Sequence, residues 1–427
     1  MAATILILLS LLFAPSFAAS ADNLEVPLKR HIEFLSDPSL NGRAPGSSGE
    51  HSAACYLYDQ LSKAGVEMLS GREGSTFTVI TPAGDTISSR NIVGIIEGSD
   101  PKLREEYIVF GAHFDHLGQY FVNIDGVSTP FTYPGADSNA SGVAALIECA
   151  RLLAADAPLL KRSVIVVGFG ATEAEFSGSR YFCGEGFGFN EQTKLMVNLD
   201  MLGRCSARNP FEFYTAIPQT EMSGLLEYVD VHESNTIIPS RHSGVIFPSD
   251  CLPFSKAGIP ALAFSTGISR EYRTIKDTPD LINYTSLEAE TLYISSFVKS
   301  AAIKETLFIK AETSSESKVY SFSECDVKPQ FFRKGEDYFL SDWVYKYLKY
   351  PKSALEAGTQ GKVMVSFIIN QKGEVTDVAV VNEVSEALAA EAVKVVSASP
   401  KWTPGQIGGH KVSVKLVIPV EFRLKKN

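Results

Sequence analysis

Tyr107-Ile-Val-Phe110-Gly-Ala-His113-Phe-Asp115-His116-Leu-Gly118 is the stretch that decides the fold. It opens on an apolar run with no polar face, the pattern of a strand buried on both sides, and such strands belong to parallel sheets covered by helices. Polar residues come only where the run ends. In open α/β sheets, ligands and catalytic groups gather beyond the carboxyl ends of the strands, so His113, Asp115 and His116 stand where chemistry is expected. Ser163-Val-Ile-Val-Val-Gly168, Leu195-Met-Val-Asn-Leu199 and Ile259-Pro-Ala-Leu-Ala-Phe264 repeat the pattern, and residues 141–154 and 286–303 have helical spacing. The expected class is α/β, a mixed, mostly parallel sheet flanked by helices.

The 427 residues hold 39 Lys+Arg and 49 Asp+Glu, a net charge of −10, which argues against nucleic acid as a partner. The charge is uneven. Residues 319–427 carry 15 Lys+Arg against 12 Asp+Glu, and the preceding 318 carry 24 against 37. The seam is the polar stretch 311–318, read as a linker between a domain at 22–310 and one at 319–427. In the second domain three β-rich runs (362–369, 376–381, 413–422), two helical ones (340–350, 387–397) and the turn Gln371-Lys-Gly373 predict a small α+β fold. Residues 1–21 have the apolar core and Ala19-Ser-Ala21 ending of a secretory signal, so the mature chain is expected to be exported without a transmembrane segment. The six cysteines lie far apart, with no C-x-x-C pair, and read as packed thiols. His31, His51, His232, His242 and His410 are isolated and read as surface residues.

Four polar clusters follow predicted strands: 111–118, Gly135-Ala-Asp137-Ser138-Asn-Ala-Ser-Gly142, Thr172-Glu173-Ala-Glu175 and Asn198-Leu-Asp200-Met201. Imidazole and carboxylates at strand ends suit a zinc hydrolase and equally a structural ion-pair network. With Leu40-Asn-Gly-Arg-Ala-Pro-Gly46, Ser249-Asp250, Gly258-Ile-Pro-Ala-Leu262 and Asp277-Thr-Pro-Asp280, the clusters make residues 28 to about 300 resemble metallopeptidase family 28. That family comprises secreted co-catalytic zinc aminopeptidases, with glutaminyl cyclases among their relatives.

The resemblance implies two zinc ions. A His and an Asp hold one, a Glu and a second His hold the other, one Asp bridges both, and a further Glu is general base. Carried over, it makes His113, Glu173 and Asp200 remnant ligands and Asp115 the residue that orients His113. The bridging position is Ser138, the base position Thr172, and the last His position Arg273. Serine cannot bridge two cations as a carboxylate does, threonine is too weak a base, and arginine is always protonated. The remnants leave ligands for one ion or none, with Cys251 the substitute ligand if one is recruited. Arg273 is expected instead to fill the vacated position and neutralise Glu173, with Asp200 as a second acid it could serve.

Tyr350-Pro-Lys-Ser-Ala354, Gly358-Thr-Gln-Gly361, Glu391-Ala392, Pro400-Lys-Trp-Thr-Pro-Gly405 and Ile418-Pro-Val-Glu-Phe-Arg-Leu424 resemble the C-terminal domain of TonB proteins, periplasmic modules that pair with partners by β-strand addition. The combined expectation is a catalytically impaired pseudopeptidase of a Gram-negative periplasm or envelope. Its expected partners are peptide or protein N-termini in the cleft and a strand-addition partner at the second domain. The alternatives are an active aminopeptidase using one metal or substitute ligands, and an adaptor acting through residues 319–427.

Overall fold

A computed structural model describes residues 23–80, 86–186, 188, 190–215, 217, 219–232, 237–243, 247–308 and 319–424. The signal segment 1–21 and the linker 311–318 lie outside the described residues. The strands of the larger domain are β1 (Glu67–Met68), β2 (Ser75–Ile80), β3 (Thr86–Ile96), β4 (Tyr107–His113), β5 (Gln119–Ile124), β6 (Val127–Thr132), β7 (Ser163–Phe169), β8 (Thr193–Leu199), β9 (Glu212–Thr215), β10 (Ser240–Ser243) and β11 (Ala261–Ser265). Its helices are α1 (Glu25–Leu35), α2 (Ser48–Lys63), α3 (Gly142–Ala155), α4 (Ser177–Tyr181), α5 (Gln219–His232), α6 (Cys251–Lys256) and α7 (Tyr284–Ile303). One sheet runs β1-β3-β7-β4-β8-β11-β9-β10, with β2 paired to β3. The four apolar runs read from sequence form its parallel centre, β7-β4-β8-β11, while β3 and β9 join antiparallel. The sheet is therefore mixed, as expected.

Alternate residues of each central strand feed two cores. Ile108, Phe110, Val164, Val166, Leu195 and Val197 face the core built by α1, α2, α3 and α7. Val109, Ile165, Val167 and Met196 face the other side, and their cluster continues through Phe247, Phe254 and Tyr272 into the smaller domain. The second face of the sheet is thus sealed partly by the chain's own C-terminal residues.

The smaller domain contains β12 (Val319–Ser321), β13 (Gly361–Ile369), β14 (Val375–Val380), β15 (Gly405–Ile407) and β16 (His410–Phe422), in the order β12-β16-β13-β14 with β15 paired to β16. Gly373, at φ 82°, turns the β13–β14 hairpin where the sequence placed it. Its helices are α8 (Glu336–Phe339), α9 (Tyr345–Tyr347), α10 (Lys352–Glu356) and α11 (Glu386–Ser397). The segment read as a helix near 340–350 is one unbroken helical run from Glu336 to Tyr347 with a π turn at Leu340–Val344, so it begins and ends a few residues earlier than read.

Two of the histidines read as surface residues are buried. His31 bonds to Tyr56 Oη at 2.7 Å and Glu148 Oε1 at 3.0 Å, and His242 stacks on Tyr214 with ring centroids 4.8 Å apart. His31 is satisfied by hydrogen bonds to partners distant in sequence, and His242 is held by ring stacking with Glu212 Oε1 3.3 Å from its Nε2; isolation along the chain cannot reveal either. The side chain of His232 lies outside the described residues. All six cysteines are free thiols.

Glu50, on α2, is a buried acid with neutral partners: it accepts from Gly46 N–H at 2.8 Å and from the Ser89 hydroxyl. Burial pushes its carboxyl up to about 7. Between pH 4.5 and 7 the unfolded chain releases this proton and the folded chain keeps it, so stability falls as pH rises, by about 3 kcal/mol. Glu50→Gln should remove that part of the slope, leaving the variant the more stable chain at pH 7.5 but not at pH 4.5. Urea midpoints at the two pH values check it.

Candidate functional site

The carboxyl ends of β4, β7, β8 and β11 bring the sequence-predicted residues together. His113 ends β4, Asp200 follows β8, Thr172 and Glu173 follow β7, Arg273 follows β11, and Ser138 precedes α3. His113, Ser138, Thr172, Glu173, Asp200 and Arg273 line one cavity of about 60 Å³.

Arg43, of the Leu40–Gly46 stretch, fixes the loop after β4. Its buried guanidinium donates to the carbonyls of Leu35, Phe114 (2.9 Å), Pro134 (2.8 Å) and Gly135 (3.1 Å). Gly42, at φ 70°, lies so close to the Gly118 carbonyl that a Cβ would sit 2.3 Å from its oxygen. Asp277 fixes the loop before α3, accepting from Asp137 N–H (3.0 Å), Ser138 N–H (3.0 Å) and Arg204 Nη2 (2.6 Å). Asp137 points away from the cavity, accepting from Gly203 N–H at 2.7 Å.

Asp115 accepts from the backbone of Thr172 (3.0 Å) and Glu173 (2.9 Å) and lies 3.5 Å from His113 Nδ1. Burial works against the charge on His113, and Asp115 and Asp200 outweigh it, holding the imidazole well above its usual range. The Thr172 hydroxyl donates to Asp250 at 2.8 Å, as does Ser179 Oγ at 2.6 Å. Burial pushes the Asp250 carboxyl up to about 6. Arg273 Nη2 pairs directly with Glu173 Oε2. Burial would raise the Glu173 carboxyl, and the Arg273 guanidinium instead holds it well below its ordinary value.

Sequence reasoning missed the opposite wall, which the smaller domain supplies. Lys394, on α11, places Nζ 3.6 Å from Asp200 Oδ2, and Glu391 Oε2 lies 3.8 Å from Arg273 Nη1. Ala387, Ala390, Glu391 and Lys394 line the cavity. They stand at i, i+3, i+4 and i+7, while Leu388, Ala392 and Val395 belong to the buried apolar core. That second helical stripe, two alanines and two charges, was the available signal.

Residues 91–298 match the sequence profile described as Peptidase family M28, and residues 346–424 that described as Gram-negative bacterial TonB protein C-terminal. The chain joins an M28 peptidase domain to a TonB C-terminal domain. A probable zinc metalloprotease of Pyrenophora tritici-repentis is 24% identical over 196 residues, 44% of this chain and 43% of that protein. An uncharacterized protein, YfbL, of Escherichia coli is 28% identical over 229 residues, 46% of this chain and 67% of its own length. The chain thus spans 43% of the length of the first of these relatives and 67% of the second. Among solved structures, an aminopeptidase from Aneurinibacillus sp. strain AM-1 superposes with a TM-score of 0.52 at 18% identity, over 69% of this chain and 98% of that one. The zinc aminopeptidase BSAP from Bacillus subtilis gives 0.52 at 16%, over 67% and 98%. These likenesses establish the fold.

The residues present do not fit a zinc centre. Among the described residues, His113, Glu173 and Asp200 do not converge as three donors on one point, and His113 Nε2 is 3.9 Å from Asp200 Oδ1. Each remnant carboxylate already faces a side-chain cation. Cys251 is no substitute ligand here: Sγ lies 3.2 Å from the Phe247 carbonyl and from Ser249 Oγ, and burial pushes the thiol up to about 12, away from the thiolate a metal needs. One group of donors does converge elsewhere, His51, Cys55 and Glu73. There Arg90 donates to His51 Nδ1, which puts the ring proton on Nε2 facing Glu73 and removes that nitrogen as a ligand.

Proposed function

We propose that this chain is an exported pseudopeptidase of the periplasm or envelope that binds peptide or envelope-protein segments without hydrolysing them. The observation that carries this reading is the charge at the centre: Arg273 on Glu173 and Lys394 on Asp200, with Thr172 and Ser138 in the base and bridging positions. Nothing in that set activates a water, because the threonine hydroxyl is neutral and already donates to Asp250. For binding, the reading uses the groove of about 740 Å³ at the mouth of the site, between the two domains, with Val79, Ile80 and Ile87 on one wall and Lys352, Ala354 and Glu356 on the other. Strand addition at β14, the outer strand of the TonB-like sheet, belongs to the same proposal. No described helix is long and apolar enough to cross a membrane.

Elemental analysis after zinc loading and desalting tests the reading. Less than 0.2 zinc per chain is expected, as is turnover of aminoacyl-anilides no faster than the buffer blank. About two zinc ions with chelator-sensitive turnover would return the chain to the active aminopeptidases.

A further inference from the structure

We propose that the degraded centre of the M28 domain is the receptor for the chain's own TonB-like domain, with the side-chain cations Arg273 and Lys394 in place of two metal ions. The inference rests on the silent-centre reading above and deepens it, by naming what now occupies the cleft.

Lys394 spends its charge outside its own domain. It is nine-tenths buried, pairs with Asp200, and lies 4.9 Å from the Tyr272 ring centroid and 5.1 Å from that of Phe247, all residues of the larger domain. Docking strips this ammonium of water, and Asp200 and the two ring faces replace the hydration it loses, whereas undocked it would be an ordinary solvated lysine. Glu391 repeats the arrangement with the opposite sign. It is buried, faces Arg273, and also accepts from Lys349 N–H at 2.8 Å. At the rim, Glu386 pairs with Lys256 and with Arg180 at 2.8 Å. The helix therefore presents acid, acid and base to base, base and acid across the seam.

Shape agrees with charge. Ala387 and Ala390 let the α11 backbone approach, and the space left is about 60 Å³, too small for a peptide's terminal residue. One apolar cluster crosses the boundary from Phe247 and Tyr272 to Leu388 and Val395. The two parts of the chain are also complementary overall, with 24 Lys+Arg against 37 Asp+Glu before residue 319 and 15 against 12 after it.

The test uses the full-length mature chain and two variants. Ala390→Trp adds an indole larger than the cavity on the face of α11 turned to the larger domain. Lys394→Met removes only the cation. Ala390→Trp should raise the radius of gyration in solution scattering and speed hydrogen exchange over residues 198–203 and 386–397. Lys394→Met should speed the same exchange roughly 30-fold or more. Unchanged scattering and exchange in Ala390→Trp, with wild-type circular dichroism, would overturn the docking. If Lys394→Met fails to fold, Ala390→Trp decides alone. If Ala390→Trp is the one that fails, exchange in Lys394→Met decides, and an unchanged rate overturns the proposal. Zinc uptake separates the two readings. Zinc bound by the opened variants and not by the wild type supports the docking while overturning the silent centre, and zinc bound by the wild type overturns both.

Discussion

Arg273→Met should lower the unfolding free energy of the larger domain by about 3–5 kcal/mol. The guanidinium is 14% exposed and stands between Glu173 and Glu391, whose side chains are 7% and 4% exposed. Methionine keeps most of the volume and none of the charge, so the loss is electrostatic: two buried carboxylates remain, with no cation between them. Two further results follow from that cause. Arg273→Met/Glu173→Gln should be more stable than Arg273→Met alone, since the second change removes the stranded charge. The pH dependence should also reverse. In the wild type the Glu173 carboxyl is held low, so its contribution is present above the ordinary carboxylate range and is lost as pH falls. Without Arg273, burial governs, the folded carboxyl keeps its proton to higher pH than the unfolded one, and acidification should restore stability. Urea unfolding of the three chains at pH 5 and pH 8 checks both. A double variant no more stable than Arg273→Met would mean that the arginine acts through packing.

The central sheet was legible because both of its faces are buried, so its strands are unbroken apolar runs with polar residues only at their ends. The same contrast exposed the strand-end clusters that hold His113, Ser138, Thr172, Glu173 and Asp200, whereas Arg273 was reached only through the resemblance to metallopeptidase family 28. Arg273 beside Glu173 was readable as chemistry, since a permanent cation among remnant acids needs an acid for a neighbour. Lys394 was not readable. Its partner Asp200 lies 194 positions earlier in the chain, and a lysine on an amphipathic helix ordinarily points to water. The two-residue β1 and four-residue β9 and β10 were also silent, being too short to show alternation. His31 and His242 escaped for the reason Lys394 did: their partners are set by tertiary packing and not by local pattern.

The motif residues outside the cavity, Asp277 and Arg43, are ones this chain keeps, and Asp277→Asn tests whether they serve as scaffold. Asp277 looks catalytic by position, in Asp277-Thr-Pro-Asp280 beside Arg273. Its carboxylate is nonetheless fully engaged by the backbone of Asp137 and Ser138 and by Arg204, and makes no wall of the cavity. Arg43 is likewise consumed by four carbonyls. Both are scaffold, needed to hold the strand-end loops whether or not water is activated there, whereas positions 138, 172 and 273 face the cavity and carry the departures. Asparagine in place of Asp277 has one accepting oxygen where the carboxylate uses two, so at least one buried N–H loses its partner, and Arg204 loses its closest counter-charge. The expected cost is about 3–5 kcal/mol. It should appear as a lower urea midpoint for the larger domain and faster hydrogen exchange at residues 136–141. An Asp277→Asn chain as stable as the wild type would show that these loops are held by something other than this carboxylate, and the division between scaffold and centre would fall with it.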